Sequence, residues 1–255
     1  KEVLLSTGSI ERPIVFGNND TPGVFLSAAA KEYIKVYGVL IGKKPLIFTN
    51  NDSAYETAIE FKKNGVEPLV LDTREDCNSE LINEAKDLKI DIRFSHAVLA
   101  ANGYKKVKSA TIGKLNNNKT DFVSTEIIDC DCICVSGFWT PTVHLASQSG
   151  NKLRFNDEID AFVPDKSKQN ENSIGSSNGT FTLKETLENS FKLGAEVSNK
   201  ITNKNEQILL PKSNERKYST HDKFWCSPLP RGKNFKRFVD FQNDVAVSDI
   251  EVALR

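Results

Sequence analysis

The sequence lacks methionine, an excess of either charge, and any long apolar run. Its 34 basic and 34 acidic residues cancel, which gives no reason to expect a nucleic acid or a membrane surface as a partner. No apolar stretch approaches the roughly 20 residues of a membrane span, and the first residues are not those of a signal peptide. Because the chain has no initiating methionine and begins inside a predicted strand, we expect it to be part of a longer polypeptide.

The five cysteines do not follow the pattern of a disulfide framework, which favours a reducing, cytoplasmic setting. Cys130, Cys132 and Cys134 alternate along a predicted strand and would share one face. They lack the C-x-x-C spacing of zinc sites, so we interpret them as core residues. The three histidines are scattered, without a spacing that would pair them with a nucleophile. We therefore predict no catalytic residue and no metal ligand.

Residues 44–72 have the layout of a dinucleotide-binding unit. Pro45–Thr49 is an apolar run of strand length, the residues from Asn50 to Asn64 have helical spacing, and a second strand, Pro68–Asp72, ends in an acid. This order of strand, turn, helix, strand and acid is the Rossmann arrangement, in which the acid can bond a ribose. The pattern predicts an α/β fold.

The turn of this unit lacks the glycines of the Rossmann fingerprint. It reads Thr49-Asn-Asn-Asp-Ser-Ala-Tyr55, with side chains where glycines would let the backbone approach a pyrophosphate. We therefore predict that this unit has lost or weakened its nucleotide site. Asp72 is then interpreted as a solvated acid at a strand end, and Asn50–Asp52 as a helix cap.

Other segments of the chain have clear helix or strand patterns. Apolar spacing and the Gly38 stop predict a helix over Val24–Tyr37, and the spacing of Leu183, Leu187 and Phe191 predicts another over Phe181–Ile201. The remaining predicted elements are a helix over Glu80–Leu88, a strand over Ile90–Phe94, antiparallel strands over Val107–Ile112 and Phe122–Ile128, a buried strand over Cys132–Gly137, and a short helix from Ser248.

Five segments, taken in order, carry a family resemblance. They are Ser6-Thr-Gly-Ser-Ile-Glu-Arg-Pro13, Asn18-Asn-Asp-Thr-Pro-Gly23, Thr49-Asn-Asn-Asp-Ser-Ala-Tyr55, Val135-Ser-Gly-Phe-Trp-Thr-Pro-Thr-Val-His-Leu145 with Ser147-Gln-Ser149, and Val239-Asp-Phe-Gln-Asn-Asp-Val245. Together they resemble the alpha subunit of heterotetrameric sarcosine oxidase and its relatives among amine and amino-acid dehydrogenases. Phe138 stands where we expect a glycine, and it should change the local turn.

The resemblance implies a fold and a domain division. The fold is an FAD/NAD(P)-binding Rossmann-like domain, in which a second dinucleotide fold is nested in an incomplete first one. This domain would cover residues 1–201, with its first βαβ unit missing, and residues 202–234 would form a connector. Residues 235–255 would begin a small helical domain that resembles a [2Fe–2S]-binding domain without its cluster, because no cysteine follows Cys226.

The resemblance also implies cofactor-binding residues. The turn Ser6–Gly8 resembles the A-T-G turn that returns the chain to the first dinucleotide domain. The turn Gly175–Gly179 resembles the G-D motif, with Asn178 in place of the acid. An ordinary strand-ending glycine turn is the alternative for the first, and a flexible turn with a helix cap for the second. The implied residues are Ser6, Thr7, Gly8, Gly137, Gly175, Ser176, Asn178 and Gly179.

The activity implied by the resemblance is the oxidative demethylation of an N-methyl amino acid by a flavin. NAD would bind in this subunit, FAD and FMN mainly on a flavin-binding beta subunit, and folate on a domain absent from this chain. The beta subunit and the smaller subunits of a heterotetramer would be its partners, and the isolated segment would be inactive. Two alternatives remain open: a subunit of a dye-linked proline or opine dehydrogenase, and an assembly scaffold without a redox role.

Overall fold

The computed structural model describes residues 1–202, 209–213, 218–230 and 232–255. The chain divides into two compact units: unit 1 comprises residues 1–10 and 139–217, and unit 2 comprises residues 11–138 and 218–255. The predicted connector, 202–234, lies partly outside the described residues. The predicted domain boundaries stay a prediction.

The elements of both units are short, apart from one long helix near the end of unit 1. The strands are β1 (Val3–Leu5), β2 (Ser9–Glu11), β3 (Val24–Leu26), β4 (Pro45–Thr49), β5 (Leu69–Asp72), β6 (Asp91–Phe94), β7 (His96–Asn102), β8 (Ser109–Leu115), β9 (Phe122–Asp129), β10 (Cys132–Ser136), β11 (Trp139–Pro141), β12 (Leu153–Asn156), β13 (Ala161–Pro164), β14 (Glu171–Ser173), β15 (Phe238–Asp240) and β16 (Val245–Ala246). The helices are α1 (Ser27–Tyr37), α2 (Ser53–Lys63), α3 (Glu80–Asp87), α4 (His144–Gln148), α5 (Leu183–Thr202) and α6 (Val247–Ala253), with a 3-10 turn over Gly175–Asn178.

Unit 2 is built on a five-stranded parallel sheet in the order β3-β10-β4-β5-β6. Every residue of β4 is buried, as expected for a strand covered on both faces. Leu46 and Phe48 pack with the antiparallel strands β7–β9 on one side of the sheet. Ile47, between them, packs with helices α1–α3 on the other side. The alternation along β4 therefore joins two apolar cores through one sheet.

The predicted strand Pro45–Thr49 and the antiparallel pairing of β8 with β9 are confirmed. The predicted helix over Val24–Tyr37 is wrong in its first three residues. Val24–Leu26 forms β3 and pairs in parallel with β10, so sheet pairing overrides the helical pattern there, and α1 begins only at Ser27.

The cysteines around β10 are buried, as predicted, but they do not share one face. Cys132 and Cys134 belong to β10 and pack in the core on the helix side of the sheet. Cys130 precedes the strand and packs in the other core, beneath β7–β9. Burial raises the pKa of the Cys130 thiol to about 12, which keeps it protonated and unreactive.

Unit 1 contains the parallel pair β1 and β14 and the antiparallel hairpin β12–β13. The predicted helix over Phe181–Ile201 is observed as α5, which begins two residues later and ends one residue later. In the part of the chain that the structure describes, no helix combines the length and apolar character needed to cross a membrane.

Candidate functional site

Two small turns of unit 1 meet at the carboxyl ends of paired parallel strands. Residues 6–8 follow β1, and the 3-10 turn follows β14. The amide of Ile174 donates to the carbonyl of Leu5 at 2.9 Å, which extends the pairing of the two strands to the turns. Ligands of open parallel sheets bind at this edge. The structure thus brings the two predicted turns together.

The glycines of these turns have the backbone conformation that favours glycine. Gly8 has a φ of +76°, and an added Cβ atom would meet nothing within 4 Å. Gly175 has a φ of +68°. Gly179, with a φ of +80°, lies so close to Ile159 and Val163 that an added Cβ would approach their side chains to 3.0 and 3.1 Å. Gly8 therefore lies against open space, whereas Gly179 is required by packing within unit 1.

Hydroxyl groups fix the two turns. Thr7 Oγ1 donates to the carbonyl of Thr142 at 2.7 Å. Ser177, which sequence reasoning missed, is fully buried, and its Oγ donates to the carbonyl of Ile174 at 2.8 Å and lies 3.3 Å from that of Leu5. Nothing in the sequence around Ser177 distinguishes it from Ser176, because its role depends on the pairing of two distant strands.

Helix α5 does not begin directly after the predicted cofactor-binding turn, Gly175–Gly179. Asn178 is exposed, Gly179 ends the 3-10 turn, and α5 begins at Leu183. Thr182 precedes the helix, and its Oγ1 accepts from the amide of Glu185 at 3.4 Å. The structure therefore places Ser176 and Asn178 within the 3-10 turn that follows β14, before Gly179 and not in the first turn of the helix.

Gly137 lies in unit 2 and is not part of this pair of turns. Its amide donates to the carbonyl of Arg12 at 2.6 Å. An added Cβ would lie 3.0 Å from the carbonyl oxygen of Pro13 and 3.1 Å from that of Arg12. The close approach of two backbone segments explains this glycine without a ligand.

Phe138 occupies the conformation that glycine adopts readily, with a φ of +76°. Its ring stacks on the imidazole of His221, with centroids 4.2 Å apart and planes inclined by 6°. The stacking holds a side chain in a left-handed position that is costly for bulky residues. Phenylalanine is thus accommodated at a positive φ, and the predicted change of this turn relative to one with glycine stays a prediction.

A buried ionic cluster lies at the carboxyl ends of β4 and β5 in unit 2. Asp72 is fully buried and accepts from Tyr55 Oη at 2.8 Å and from Arg74 Nε and Nη2 at 2.9 and 2.7 Å. Arg74 Nη1 lies 2.8 Å from Asp52 Oδ1. The interpretation of Asp72 as a solvated acid is therefore wrong, because its carboxylate is enclosed and paired.

The cluster perturbs the groups within it. Burial raises the pKa of the Tyr55 hydroxyl, and the charge of Asp72 raises it further. Burial alone would lower the pKa of Arg74, but the hydrogen bonds to Asp72 and the charges of Asp72 and Asp52 outweigh it and raise the pKa. Tyr55 is thus held neutral and Arg74 charged. The Arg two residues after the strand-end acid was the available sequence signal for this cluster.

The predicted cap of α2 is formed by Asn51 rather than by Asp52. Asn51 Oδ1 accepts from the amide and the hydroxyl of Ser53 at 2.9 and 2.6 Å. Asp52 makes no side-chain bond to the helix and instead accepts from the amide of Ser219 at 2.6 Å. The polar turn therefore serves the helix only in part.

Glu11 is a further buried acid of unit 2, and sequence reasoning missed it. Its Oε2 accepts from the amide of Ala28 at 2.7 Å, in the first turn of α1, where Leu26 provides no side-chain cap. Burial raises the pKa of Glu11 to about 7, although Ser136, the Ala28 amide and Lys31 each lower it. A carboxyl group at a helix N-terminus is favourable, and here burial outweighs that effect.

Nearly the whole chain is similar in sequence to curated proteins. No family model matches the chain. It is 29% identical over 260 residues to the sarcosine oxidase subunit alpha of Corynebacterium sp. (strain P-1), covering 98% of this chain and 26% of that protein. It is 29% identical over 256 residues to the same subunit of Rhizobium meliloti (strain 1021), covering 100% and 24%. The chain therefore spans about a quarter of the length of the curated relatives it matches.

Solved structures share the fold. L-proline dehydrogenase from P. horikoshii is 18% identical, with a TM-score of 0.60 over 100% of this chain and 46% of that one. Thioredoxin reductase from T. acidophilum is 17% identical, with a TM-score of 0.56 over 71% and 59%. These likenesses concern the fold alone and confirm the predicted Rossmann-like α/β class. The curated matches, in turn, confirm that nearly the whole chain resembles one segment of the alpha subunits of sarcosine oxidase.

Proposed function

We propose that this chain is part of the alpha subunit of a sarcosine oxidase-like oxidoreductase, and that unit 1 contributes to an NAD site. The complex would demethylate an N-methyl amino acid oxidatively, with FAD and FMN held mainly by a flavin-binding beta subunit. Smaller subunits would complete a heterotetramer, and folate would bind a domain outside this chain. The similarity to two alpha subunits over 98% and 100% of the chain supports the assignment.

The observation that carries the NAD proposal is the meeting of two small turns at the carboxyl ends of β1 and β14. Gly8 would lie next to the nucleotide, since space is open beside its α-carbon. Small residues and left-handed glycines let a phosphate or ribose approach the backbone closely. Where NAD is redox-active it accepts a hydride. The role of Ser6–Gly8 and Gly175–Gly179 would be to hold and orient it.

Replacing Gly8 with leucine is expected to weaken NAD binding at least tenfold. The leucine side chain would enter the open space beside the turn, where the nucleotide is proposed to lie. The measurement is the amount of NAD released on denaturing the purified full-length complex, together with titration of the nucleotide-depleted protein. A tenfold change corresponds to about 1.4 kcal/mol of binding free energy.

Gly65→Leu provides the matched control. Gly65 also has a φ of +76° and nothing within 4 Å of an added Cβ, but it lies beyond the end of α2. Both variants carry the same strain of a left-handed leucine, about 1–2 kcal/mol, so they should lose thermal stability alike. Equal NAD content in the two variants would refute the placement at Gly8. A wild-type complex that releases no NAD would favour the scaffold alternative.

A further inference from the structure

The cleft in which a Rossmann unit holds a dinucleotide is filled in unit 2. In this fold the nucleotide lies across the carboxyl ends of the central strands, here β4 and β5. Residues Thr49–Asp52 and Asp72–Arg74 form that edge, and each is at most 5% exposed. The site residues therefore do not fit a bound dinucleotide, because no surface is left to receive it.

The material that covers the edge is the protein's own chain, residues 218–227, which we call the closing segment. The amide of Asp222 donates to the carbonyl of Asn50 at 2.9 Å. Asn50 Nδ2 donates in return to the carbonyl of Asp222 at 2.8 Å and reaches that of Phe224 at 3.3 Å. The closing segment thus bonds to the turn whose backbone would otherwise face a pyrophosphate.

The carboxylate of Asp222, in the closing segment, binds groups that could also bind an anionic ligand. Asp222 Oδ2 accepts from Thr73 Oγ1 at 2.9 Å and from Lys119 Nζ at 2.6 Å. Thr73 directly follows β5, and Lys119 lies in the turn between β8 and β9. A hydroxyl and an ammonium group that converge on one carboxylate would also suit a phosphate. Here the anion is supplied from within the chain.

Asp72, the acid that could bond a ribose in the Rossmann layout, is also already bonded within the chain. Asp72 is bonded to Tyr55 and Arg74, and Arg74 Nη1 in turn donates to the carbonyl of Thr220 at 3.2 Å. Asp52 accepts from the amide of Ser219. The acid that could bond a ribose is therefore part of the ionic cluster that fastens the closing segment.

The C-terminal end of the closing segment forms backbone hydrogen bonds with Val15 of unit 2. The amide of Val15 donates to the carbonyl of Trp225 at 2.9 Å, and the amide of Ser227 donates to the carbonyl of Val15 at 2.8 Å. These bonds flank a parallel bridge between Val15 and Cys226. Because both ends of the closing segment are hydrogen-bonded to other residues of unit 2, the segment is a fixed part of that unit.

From these contacts we propose that the closing segment permanently occupies the nucleotide cleft of unit 2, with Asp222 as the internal substitute for a phosphate. Unit 2 then keeps the Rossmann scaffold for structural purposes and takes up no dinucleotide. This proposal does not rest on the NAD site proposed for unit 1, and it concerns different residues.

Hydrogen exchange on the full-length protein tests the occupancy. Peptides covering 49–55 and 218–227 are expected to be protected, with no change when NAD, NADP or ADP is added at millimolar concentration. Faster exchange of 218–227 on adding any of these nucleotides would show that the segment gives way to a ligand and would overturn the proposal. NAD bound at unit 1 would instead change the exchange of peptides covering residues 6–8 and 175–179. Different peptides therefore test the NAD site of unit 1 and the filled cleft of unit 2, and either proposal can be refuted without the other.

A substitution of Asp222 tests whether its carboxylate holds the closing segment in place. Asp222→Ala should speed exchange of 218–224 about tenfold or more, because two hydrogen bonds to its charged carboxylate hold the segment. Asp129→Ala is the control, since that carboxylate is 80% exposed and lies 3.8 Å from Lys44 Nζ. Equal exchange in the two variants would overturn the role of Asp222. Should Asp222→Ala not fold, Thr73→Val removes one bond to the carboxylate, and exchange unchanged by it would count against the proposal equally.

Discussion

Replacing Arg74 with alanine is expected to lower the free energy of unfolding by about 3–5 kcal/mol. Arg74 is 5% exposed and lies between the carboxylates of Asp72 and Asp52, which are themselves at most 3% exposed. Without the guanidinium, two negative charges would face each other in a buried site with no cation between them. Urea-induced unfolding of the protein at neutral pH measures the loss.

Arg93→Ala is the matched control for Arg74. Arg93 lies in β6, the strand next to β5, and pairs with Glu126 and Asp91. Its side chain is 32% exposed and its partners are more than half exposed, so its loss should cost about 0–1 kcal/mol. Equal losses for the two variants would show that the buried cluster does not stabilise unit 2 beyond an ordinary surface pair.

The comparison of these two arginines shows what the sequence could and could not predict. Pro45–Thr49 and Asp72 were placed correctly because an apolar run and its bounding turn are local patterns. The surroundings of Asp72 were predicted wrongly because its burial depends on Thr220 and Ser219, almost 150 residues away in the chain, which cover Arg74 and Asp52. No periodicity or spacing encodes such a contact.

The candidate site in unit 1 was predicted more fully than the buried groups of unit 2. The turns at Ser6–Gly8 and Gly175–Gly179 were identified from their motifs, and the pairing of β1 with β14 places them together. The hydroxyl of Ser177 and the carboxyl of Glu11 were missed. Each acts through a backbone group that only the folded chain brings near, the carbonyl of Ile174 and the amide of Ala28.

Replacing Glu11 with glutamine is expected to make the protein more stable at pH 8 by about 3 kcal/mol. The pKa of Glu11 is raised by burial from 4.5 to about 7 in the folded protein, a difference that corresponds to about 3 kcal/mol. The unfolded chain releases the proton near pH 4.5, whereas the folded protein holds it until about pH 7. The contribution of Glu11 to stability is therefore fully present below about pH 4.5 and is lost as the pH rises through 7.

Glutamine removes this dependence because it does not ionise. Its side-chain oxygen can still accept from the amide of Ala28, so the first turn of α1 keeps its bond. The two proteins should have similar free energies of unfolding at pH 4 and diverge between pH 4.5 and 7. Urea-induced unfolding across pH 4–8 measures the divergence, and the difference should then stay constant above pH 7.

Glu32→Gln separates this effect from a general gain on removing a negative charge. Glu32 is exposed and lies on the same helix, α1, one turn beyond Ala28. Its replacement changes the net charge of the protein by the same amount but removes no buried carboxyl group. The curve of the Glu32 variant should follow that of the wild type at every pH. A Glu11 variant that also follows the wild-type curve would mean that Glu11 ionises in the fold as readily as in the unfolded chain, and that burial at the α1 N-terminus carries no penalty.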